Sequence, residues 1–257
     1  MLRYSIFLLL SFALFACIPC QLQAPHAESS PPQSGSFVLV GGGTTLPEIR
    51  KQFILLAGGE KARIVLIPTA CTEPDIERTI LTYWANEKVG SIKVLHAHRR
   101  QDADRLAWIL KNATGVWFSG GDQAILAERY GGTMVEEEIK NLYRRGGVVG
   151  GTSAGASIVS KVMVYEDTEA VGLGLVDPIV DQHFTARKRL DRLLKLLQRH
   201  PNLIGIGIDE ATAIIIIDDT VEVMGNGQMI LCEHGKVKAY KRGEKVKIKP
   251  ANLYALR

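Results

Sequence analysis

Residues 147–156 read Gly-Val-Val-Gly-Gly-Thr-Ser-Ala-Gly-Ala and connect a short apolar run to a stretch of helical character. Ser153 lies inside this turn, with a glycine two positions before it and another two positions after it. A G-x-S-x-G turn needs flanking positions nearly free of side chains, because the chain bends sharply from strand to helix. The stretch therefore predicts an α/β sheet with Ser153 as a candidate nucleophile at its carboxyl edge. A phosphate-binding turn and a plain helix start are the alternatives.

The pattern on both sides of this turn repeats along the chain. Short apolar runs bounded by glycine or proline alternate with helical stripes, such as Ile76, Ile80 and Trp84 on one face. Apolar runs of this length suit strands that are buried on both faces. Strands and helices alternating at this spacing predict a doubly wound, mostly parallel sheet. The predicted parallel strands cover residues 37–40, 63–67, 92–95, 115–118 and 147–150.

The C-terminal part of the chain has a different character. Residues 213–217 and 220–224 are strand-like, Gly-Asn-Gly at 225–227 predicts a turn, and residues 236–249 alternate lysine with apolar residues. This pattern predicts antiparallel strands added at the edge of the sheet, with the lysines facing water.

The first residues have the composition of an export signal. A positive charge at Arg3 precedes an apolar run at 6–16 that is too short to span a bilayer comfortably. Leu-Phe-Ala-Cys at 14–17 resembles a bacterial lipobox, in which Cys17 would be lipidated and attach the protein to a membrane. We therefore expect a signal peptide at residues 1–20, a polar, proline-rich tether at 21–35 and a single folded domain at 36–257. The protein would be periplasmic, extracellular or a membrane-anchored lipoprotein.

Composition excludes several classes of function. The net charge of +4 is too small and too dispersed to indicate a nucleic-acid partner. The cysteines show no zinc-ligand spacing, so neither a metal site nor a cofactor is predicted. Val-Gly-Gly-Gly at 40–43 lacks the spacing of a dinucleotide-binding turn, and we expect it to pack against active-site loops instead. The oligomeric state, including a homodimer, stays open.

A serine nucleophile needs a base, and His183 is the candidate among six histidines. It follows a short apolar run and precedes a helix, which places it at the carboxyl edge of the sheet like Ser153. From position alone, a structural role and a catalytic role are equally open. The N–H of Ala154 lies at the start of the predicted helix and is a candidate to stabilise an oxyanion.

Four short blocks, taken together and in order, resemble one family. They read Phe-Ser-Gly-Gly-Asp-Gln at 118–123, Gly-Thr-Ser-Ala-Gly-Ala at 151–156, Asp-Gln-His-Phe at 181–184 and Gly-Ile-Asp-Glu-Ala-Thr-Ala at 207–213. Each block alone is modest, but the ordered set resembles the cyanophycinases, in the serine-peptidase family that also contains dipeptidase E. That resemblance implies a fold similar to flavodoxin and to the class I glutamine amidotransferases. It also implies serine-type hydrolysis of cyanophycin (multi-L-arginyl-poly-L-aspartate) to β-Asp-Arg dipeptides.

The resemblance implies roles for particular residues. Ser153 attacks, His183 takes and returns the proton, Gly121 joins Ala154 in the oxyanion hole, and Gln123 lines the substrate site. An acidic residue orients His183 and is expected in the loop after the nucleophile helix, at residues 165–170. This loop is shorter than in the cyanophycinases. Its acidic candidates are Glu166, Asp167 and Glu169, of which Glu169 is chosen.

Three arginines after the Asp-Gln-His-Phe block favour cyanophycinase over dipeptidase E, namely Arg187, Arg189 and Arg192. Guanidinium groups bind carboxylates with two hydrogen bonds, which suits an Asp/Arg polymer or peptide substrate. We expect the arginines in the first turns of the helix after His183, with Arg189 and Arg192 side by side. A solvated helix face is the alternative. Asp181 and Gln182 are predicted to contact substrate polar groups, although an aspartate there equally often caps a helix.

Two other functions are compatible with the same motifs. One is a dipeptidase E-like enzyme that cuts short Asp-X peptides. The other is a non-catalytic lipoprotein that binds Asp/Arg peptides, which only the short acid loop supports.

Overall fold

An eight-stranded sheet forms the centre of the described part of this computed structural model, which covers residues 35–166 and 168–255. In spatial order its strands are β14 (Lys245–Lys247), β11 (Thr220–Gly225), β10 (Thr212–Ile217), β1 (Ser36–Val40), β5 (Val148–Thr152), β4 (Gly115–Phe118), β2 (Arg63–Ile67) and β3 (Ser91–Val94). The five strands from β1 to β3 in this order are mutually parallel. Strands β10, β11 and β14 continue the sheet in antiparallel fashion. The fold class predicted from the sequence is confirmed.

The sheet is covered on both faces, as its apolar strands require. Along β1, Phe37 and Leu39 pack into one hydrophobic cluster, while Val38 and Val40 pack into a second cluster on the opposite face. The helices are α1 (Pro47–Leu56), α2 (Ile76–Trp84), α3 (Arg100–Leu106), α4 (Gln123–Tyr130), α5 (Met134–Arg144), α6 (Ala154–Ser157) and α7 (Leu190–Arg199). Short 3₁₀ turns cover Gly59–Lys61, Ala107–Leu110 and Pro250–Asn252.

A second, four-stranded sheet was not anticipated from the sequence. Its strands in spatial order are β13 (Lys236–Lys241), β12 (Gln228–Glu233), β9 (Gly205–Ile208) and β8 (Ile179–Asp181). Strands β8 and β9 are parallel, whereas β12 pairs antiparallel with both β9 and β13. The leucines of α7 pack with Ile179, Phe184 and Ile230 in a third hydrophobic cluster. The expectation that the lysine-rich segment joins the main sheet therefore holds for β14 and is wrong for β13.

A two-stranded hairpin, β6 (Val162–Tyr165) and β7 (Thr168–Val171), completes the described structure. The predicted signal peptide at 1–20 and all of the tether except Gly35 lie outside the described residues. Among the residues that are described, no helix has the length and apolar character needed to cross a membrane.

Candidate active site

Ser153 occupies a strained turn between β5 and α6. Its φ and ψ angles are 54° and −116°, in a region that residues with a side chain rarely adopt. The Ser153 N–H donates to the carbonyl oxygen of Val40 at 3.0 Å, which ties the turn to the neighbouring parallel strand. Such strain persists only where the surroundings hold it. The turn therefore fixes the Ser153 hydroxyl at the carboxyl edge of the sheet.

The two glycines of the motif are required by close backbone contacts. A Cβ atom at Gly151 would lie 2.3 Å from the carbonyl oxygen of Gly155, and one at Gly155 would lie 2.4 Å from that of Phe118. Both distances are far shorter than a carbon–oxygen contact allows. This is the steric requirement that the sequence pattern predicted.

His183 reaches Ser153 from the second sheet. It lies two residues beyond the end of β8, with a positive φ of 48°, and its N–H donates to the carbonyl oxygen of Gly41 at 2.6 Å. The Nε2 atom lies 2.9 Å from the Ser153 Oγ, a hydrogen-bond distance. The structure thus brings together the serine and the histidine that sequence analysis singled out, 30 residues apart.

The glycine turn at 41–43 makes room for the imidazole. Gly42 has a φ of 101°, and a Cβ atom there would lie 2.3 Å from Cε1 and 2.4 Å from Nε2 of His183. The Gly42 carbonyl oxygen accepts a hydrogen bond from the N–H of Ala211 at 2.9 Å. The expectation that this turn packs against the active-site loops is thereby met.

The carboxylate that contacts His183 belongs to Glu210. Its Oε1 atom lies 2.5 Å from the His183 Nδ1. Because β8 and β9 are adjacent and parallel, with Asp181 opposite Gly207, residues two positions beyond each strand end meet at the same edge. His183 and Glu210 are those two residues. The Glu210 side chain is 45% exposed, whereas that of His183 is 11% exposed.

The structure does not place Glu169 beside His183, which corrects the choice made from the sequence. Glu169 lies in β7, and its Oε2 atom is 2.7 Å from the Nε2 of His200. Glu166 lies in the turn after β6, where its carbonyl oxygen accepts from Arg192 at 3.2 Å. Asp167 lies outside the described residues. Glu210 belongs to the block at 207–213 that carries the family resemblance, whereas that resemblance places the acid in the loop at 165–170.

Opposing effects act on the ionisation of His183. Burial lowers the pKa of its imidazole below the usual value, the hydrogen bond to Glu210 raises it, and the charge of Arg187 lowers it further. The net direction is downward. The imidazole is therefore neutral at pH 7, so Nδ1–H donates to Glu210 while Nε2 accepts from the Ser153 hydroxyl.

Asp181 gathers two of the three arginines. Its side chain is only 1% exposed, its Oδ2 accepts from Arg192 Nε at 2.9 Å, and its Oδ1 also contacts Arg192 and lies 3.3 Å from Arg189 Nη1. Arg189 donates further to the carbonyl and side-chain oxygens of Gln182, at 2.6 and 2.8 Å. Burial lowers the pKa of Arg189 to about 10, which leaves it charged at neutral pH.

These contacts revise the expected roles of the segment. Asp181 and Gln182 are buried beneath the arginines rather than directed at solvent, so they hold the guanidinium groups in position. Arg189 and Arg192 are neighbours as expected, but Arg189 is the residue just before α7, and their shared contact with Asp181 brings them together. Arg187 precedes α7 rather than belonging to it, and it is exposed. Within the described residues its guanidinium has no hydrogen-bonded partner.

The loop after β4 lies against the nucleophile. A Cβ atom at Gly120 would lie 3.3 Å from the Ser153 Cβ, so this loop and the turn are in close contact. Gly121 follows with a φ of 141°, where a Cβ atom would be 2.0 Å from the carbonyl oxygen of Ala70. Ala154 is the first residue of α6, a position whose N–H has no partner within the helix. Gln123 Nε2 donates to the carbonyl oxygen of Val164 at 3.0 Å, which links α4 to β6.

A cavity of about 370 Å³ opens next to the nucleophile, between the glycine turn and α2. Its lining includes Thr152, which directly precedes Ser153, together with Ser119, Tyr83 and Trp84. Its size is at the small end of the range for sites that bind small organic molecules.

Residues 37–224 match the sequence model described as peptidase family S51. A cyanophycinase of Geminocystis herdmanii is 35% identical over 219 residues, which cover 75% of this chain and 80% of that protein. A Peptidase E of a Nostoc species is 26% identical over 145 residues, covering 51% of this chain and 60% of that protein.

Among solved structures, the crystal structure of a peptidase from an acI-B1 Actinobacterium superposes with a TM-score of 0.69. It is 28% identical in sequence, and the match covers 84% of this chain and 98% of that one.

Proposed function

The chain belongs to peptidase family S51 and is a serine peptidase, and on that premise we propose that it hydrolyses cyanophycin to β-Asp-Arg dipeptides through an acyl-enzyme on Ser153. The observation that carries the mechanism is the line of contacts from Ser153 Oγ to His183 Nε2, 2.9 Å, and from His183 Nδ1 to Glu210, 2.5 Å. A serine, a base and an acid in this order are the parts that acyl transfer requires.

The first half of the reaction forms the acyl-enzyme. Ser153 Oγ bonds to the carbonyl carbon of a backbone amide while its proton moves to His183 Nε2. The negatively charged Glu210 stabilises the imidazolium that results and keeps Nδ1 protonated throughout. The carbon–nitrogen bond of the substrate then breaks, and the leaving amine takes the proton from Nε2.

The second half releases the product. A water molecule gives a proton to His183 Nε2 as its oxygen bonds to the acyl carbon. The bond from that carbon to Ser153 Oγ then breaks, and Oγ recovers the proton. Each tetrahedral intermediate carries a negative oxygen, which the backbone N–H groups of Gly121 and Ala154 would bind. The close packing of the β4 loop on Ser153 supports this assignment.

The charges near the site support an Asp/Arg substrate. Arg189 and Arg192 both pair with one buried aspartate, Asp181, while Arg187 pairs with no described carboxylate, so the three arginines retain a positive charge beside His183. Each cyanophycin unit ends in a free carboxylate on its arginine, which a guanidinium binds with two hydrogen bonds. Arg187 is exposed and lies four residues after His183, so we assign it the direct contact. Arg189 and Arg192, held by Asp181 and Gln182, supply positive potential, and Gln123 lines the neighbouring wall.

The test is incubation of the purified protein with insoluble cyanophycin, followed by mass spectrometry of the soluble products. We expect β-Asp-Arg dipeptide from the wild type and from Ser91→Ala, a control serine in β3, and none from Ser153→Ala. Intact polymer after incubation with active enzyme, together with cleavage of short Asp-X peptides, would support a Peptidase E-like activity instead.

Failure of Ser153 to react at all would support the non-catalytic alternative. A fluorophosphonate separates this case from a wrong substrate, because it reacts with an activated serine whatever the natural substrate is. We expect labelling of the wild type and none of Ser153→Ala.

We also propose that the protein is exported and that Cys17 is the attachment point for lipid. The apolar run at 6–16 and the lipobox-like sequence at 14–17 support this proposal. Expression in a bacterium followed by fractionation and mass spectrometry of the N-terminus tests it. A lipid-modified Cys17 in the membrane fraction is expected, and retention of Met1 in the cytosol would refute export.

A further inference from the structure

Two histidines and a glutamate converge at the end of β3, among elements that the proposed catalytic mechanism does not use. His96 and His98 follow β3, and Glu77 lies in the first turn of α2. Residues two apart on extended chain project to the same side, so the sequence His-Ala-His directs both imidazoles toward α2. Their ring centroids are 4.2 Å apart.

One donor atom from each residue lies within 4.8 Å of the other two. Glu77 Oε1 is 3.0 Å from His96 Nδ1 and 3.9 Å from His98 Nε2. A tetrahedral zinc ion with bonds of about 2.0–2.1 Å holds its ligand atoms about 3.3 Å apart. Each of these two distances differs from that value by well under 1 Å. The side chain of His98 is 74% exposed, so it can move that far without disturbing the core.

We propose that Glu77, His96 and His98 form a binding site for a divalent transition-metal ion, with Zn²⁺ as the best fit. Two imidazole nitrogens and one carboxylate oxygen are a ligand set that suits zinc and its neighbours in the first transition series. The hard ions Mg²⁺ and Ca²⁺ prefer oxygen ligands, so they are not expected to compete. This site departs from the sequence-based prediction of no metal site, which considered cysteine spacing alone.

The charges around the cluster are compatible with metal binding. The cations nearby already have partners. Arg99 and Arg105 pair with Asp102, and Arg129 pairs with Glu128 while donating to the carbonyl oxygen of His98.

A metal ion at this position would link α2 to the segment after β3. It would thereby restrict the motion of the loop that connects β2 to α2. Residues 69 and 71–74 of that loop line a cavity of about 290 Å³ together with His96 and His98. The same loop carries Ala70, whose carbonyl oxygen accepts from the N–H of Asp122 at 2.8 Å, next to Gly121. The ion would therefore stabilise a loop that supports the active site without taking part in the chemistry.

The test is titration of the purified full chain with Zn²⁺ by calorimetry and with Co²⁺ by visible absorption, at neutral pH after removal of metal. We expect one ion to bind, and we expect His98→Ala and His96→Ala each to weaken its affinity by roughly a hundredfold, at least as much as the loss of a group that only supports a metal ligand. A rise in Tm with Zn²⁺ should accompany binding in the wild type and disappear in both variants.

His200→Ala is the matched control. His200 also contacts a glutamate, Glu169, at 2.7 Å, but the structure places no second imidazole there among the described residues. Binding equal to the wild type is expected for this variant. Equal Zn²⁺ affinity in His96→Ala, His98→Ala and the wild type, or the absence of saturable binding, would overturn the proposal. Either result leaves the hydrolase assignment untouched, because binding and Tm are measured without substrate.

Discussion

The molecule contains two histidine–glutamate pairs with similar contacts and very different surroundings. His183 and Glu210 are joined by a 2.5 Å contact, and His200 and Glu169 by one of 2.7 Å. The first pair lies at the carboxyl ends of two adjacent parallel strands, and its imidazole faces Ser153. The second lies where α7 ends beside the β6–β7 hairpin, and its glutamate also neighbours Arg199 at 3.8 Å.

This difference shows that a contact between a histidine and a glutamate is not by itself evidence of a catalytic role. What distinguishes His183 is burial, a positive φ held by a hydrogen bond to Gly41, and a second nitrogen directed at a strained serine. The parallel pairing of β8 with β9 brings His183 and Glu210 to one edge, and the hydrogen bond to Gly41 ties His183 to the end of β1 beside Ser153. Substituting corresponding members of the two pairs tests this comparison.

The largest difference in kcat is expected between variants of the two histidines. His183→Ala removes the general base, and we expect kcat for cyanophycin hydrolysis to fall by roughly 10⁶-fold, as in serine peptidases that lose a triad member. His200→Ala should leave kcat unchanged, because His200 contacts Glu169 at the end of α7 rather than the nucleophile, and a surface contact of this kind contributes about 0–1 kcal/mol to stability. Steady-state kinetics on both variants measures the contrast, and similar losses in the two would refute the assignment.

The second largest difference in kcat is expected between variants of the two glutamates. Glu210→Gln keeps the size of the side chain but no longer stabilises the imidazolium, so a loss of roughly 10³–10⁴-fold in kcat is expected. Glu169→Gln should retain wild-type kinetics. If Glu169→Gln proved slower than Glu210→Gln, Glu169 would be the acid of the triad, as the sequence predicted. The contact between His183 and Glu210 would then have no catalytic role.

A smaller effect is expected from the turn that makes room for the imidazole. Gly42→Ala places a methyl group against the His183 ring, and a displacement of about 1 Å costs roughly 10²-fold in kcat/KM. Gly59→Ala is the control, because Gly59 also has positive φ but nothing within 4 Å of its Cβ position. Both variants carry the backbone cost of about 1–2 kcal/mol in stability. Only Gly42→Ala should lose activity, and equal activity in the two would contradict the steric argument.

The smallest effect concerns the pH profile. Neutral His183 is the active form and its pKa is lowered, so the acid limb of kcat/KM should have its midpoint below about 6.5. Arg187 contributes to that lowering, so Arg187→Gln should move the midpoint upward, by less than about one pH unit because the arginine is exposed. A downward movement would show that Arg187 does not act on His183 through its charge.

The central sheet and its helices could be predicted from the sequence because each element has a recognisable pattern within its own residues. Apolar runs bounded by glycine or proline predicted each of the five parallel strands, and the stripe of Ile76, Ile80 and Trp84 predicted α2. Strands β12 and β13 were harder to place. Alternation along the lysine-rich segment shows that one face is exposed, but it does not identify the partner strand. The lysine-rich strand β13 pairs with β12, and β12 pairs in turn with β9.

The candidate site was accessible where a motif and a strand end coincided, as at Ser153 and His183. Glu210 is not predictable from its neighbours in sequence, because it meets His183 only through the pairing of β8 with β9. The direction of the Asp181 side chain could not be predicted from the neighbouring sequence either. Its burial beneath Arg189 and Arg192 depends on how β8 packs, which the sequence of the segment does not reveal.

The central claim is that one strained serine, activated by His183, is the nucleophile. Labelling with a fluorophosphonate followed by peptide mapping tests it most directly. We predict a single modified residue, Ser153, with labelling abolished in Ser153→Ala and strongly slowed in His183→Ala. Modification at another serine, or undiminished labelling of Ser153→Ala, would contradict the account.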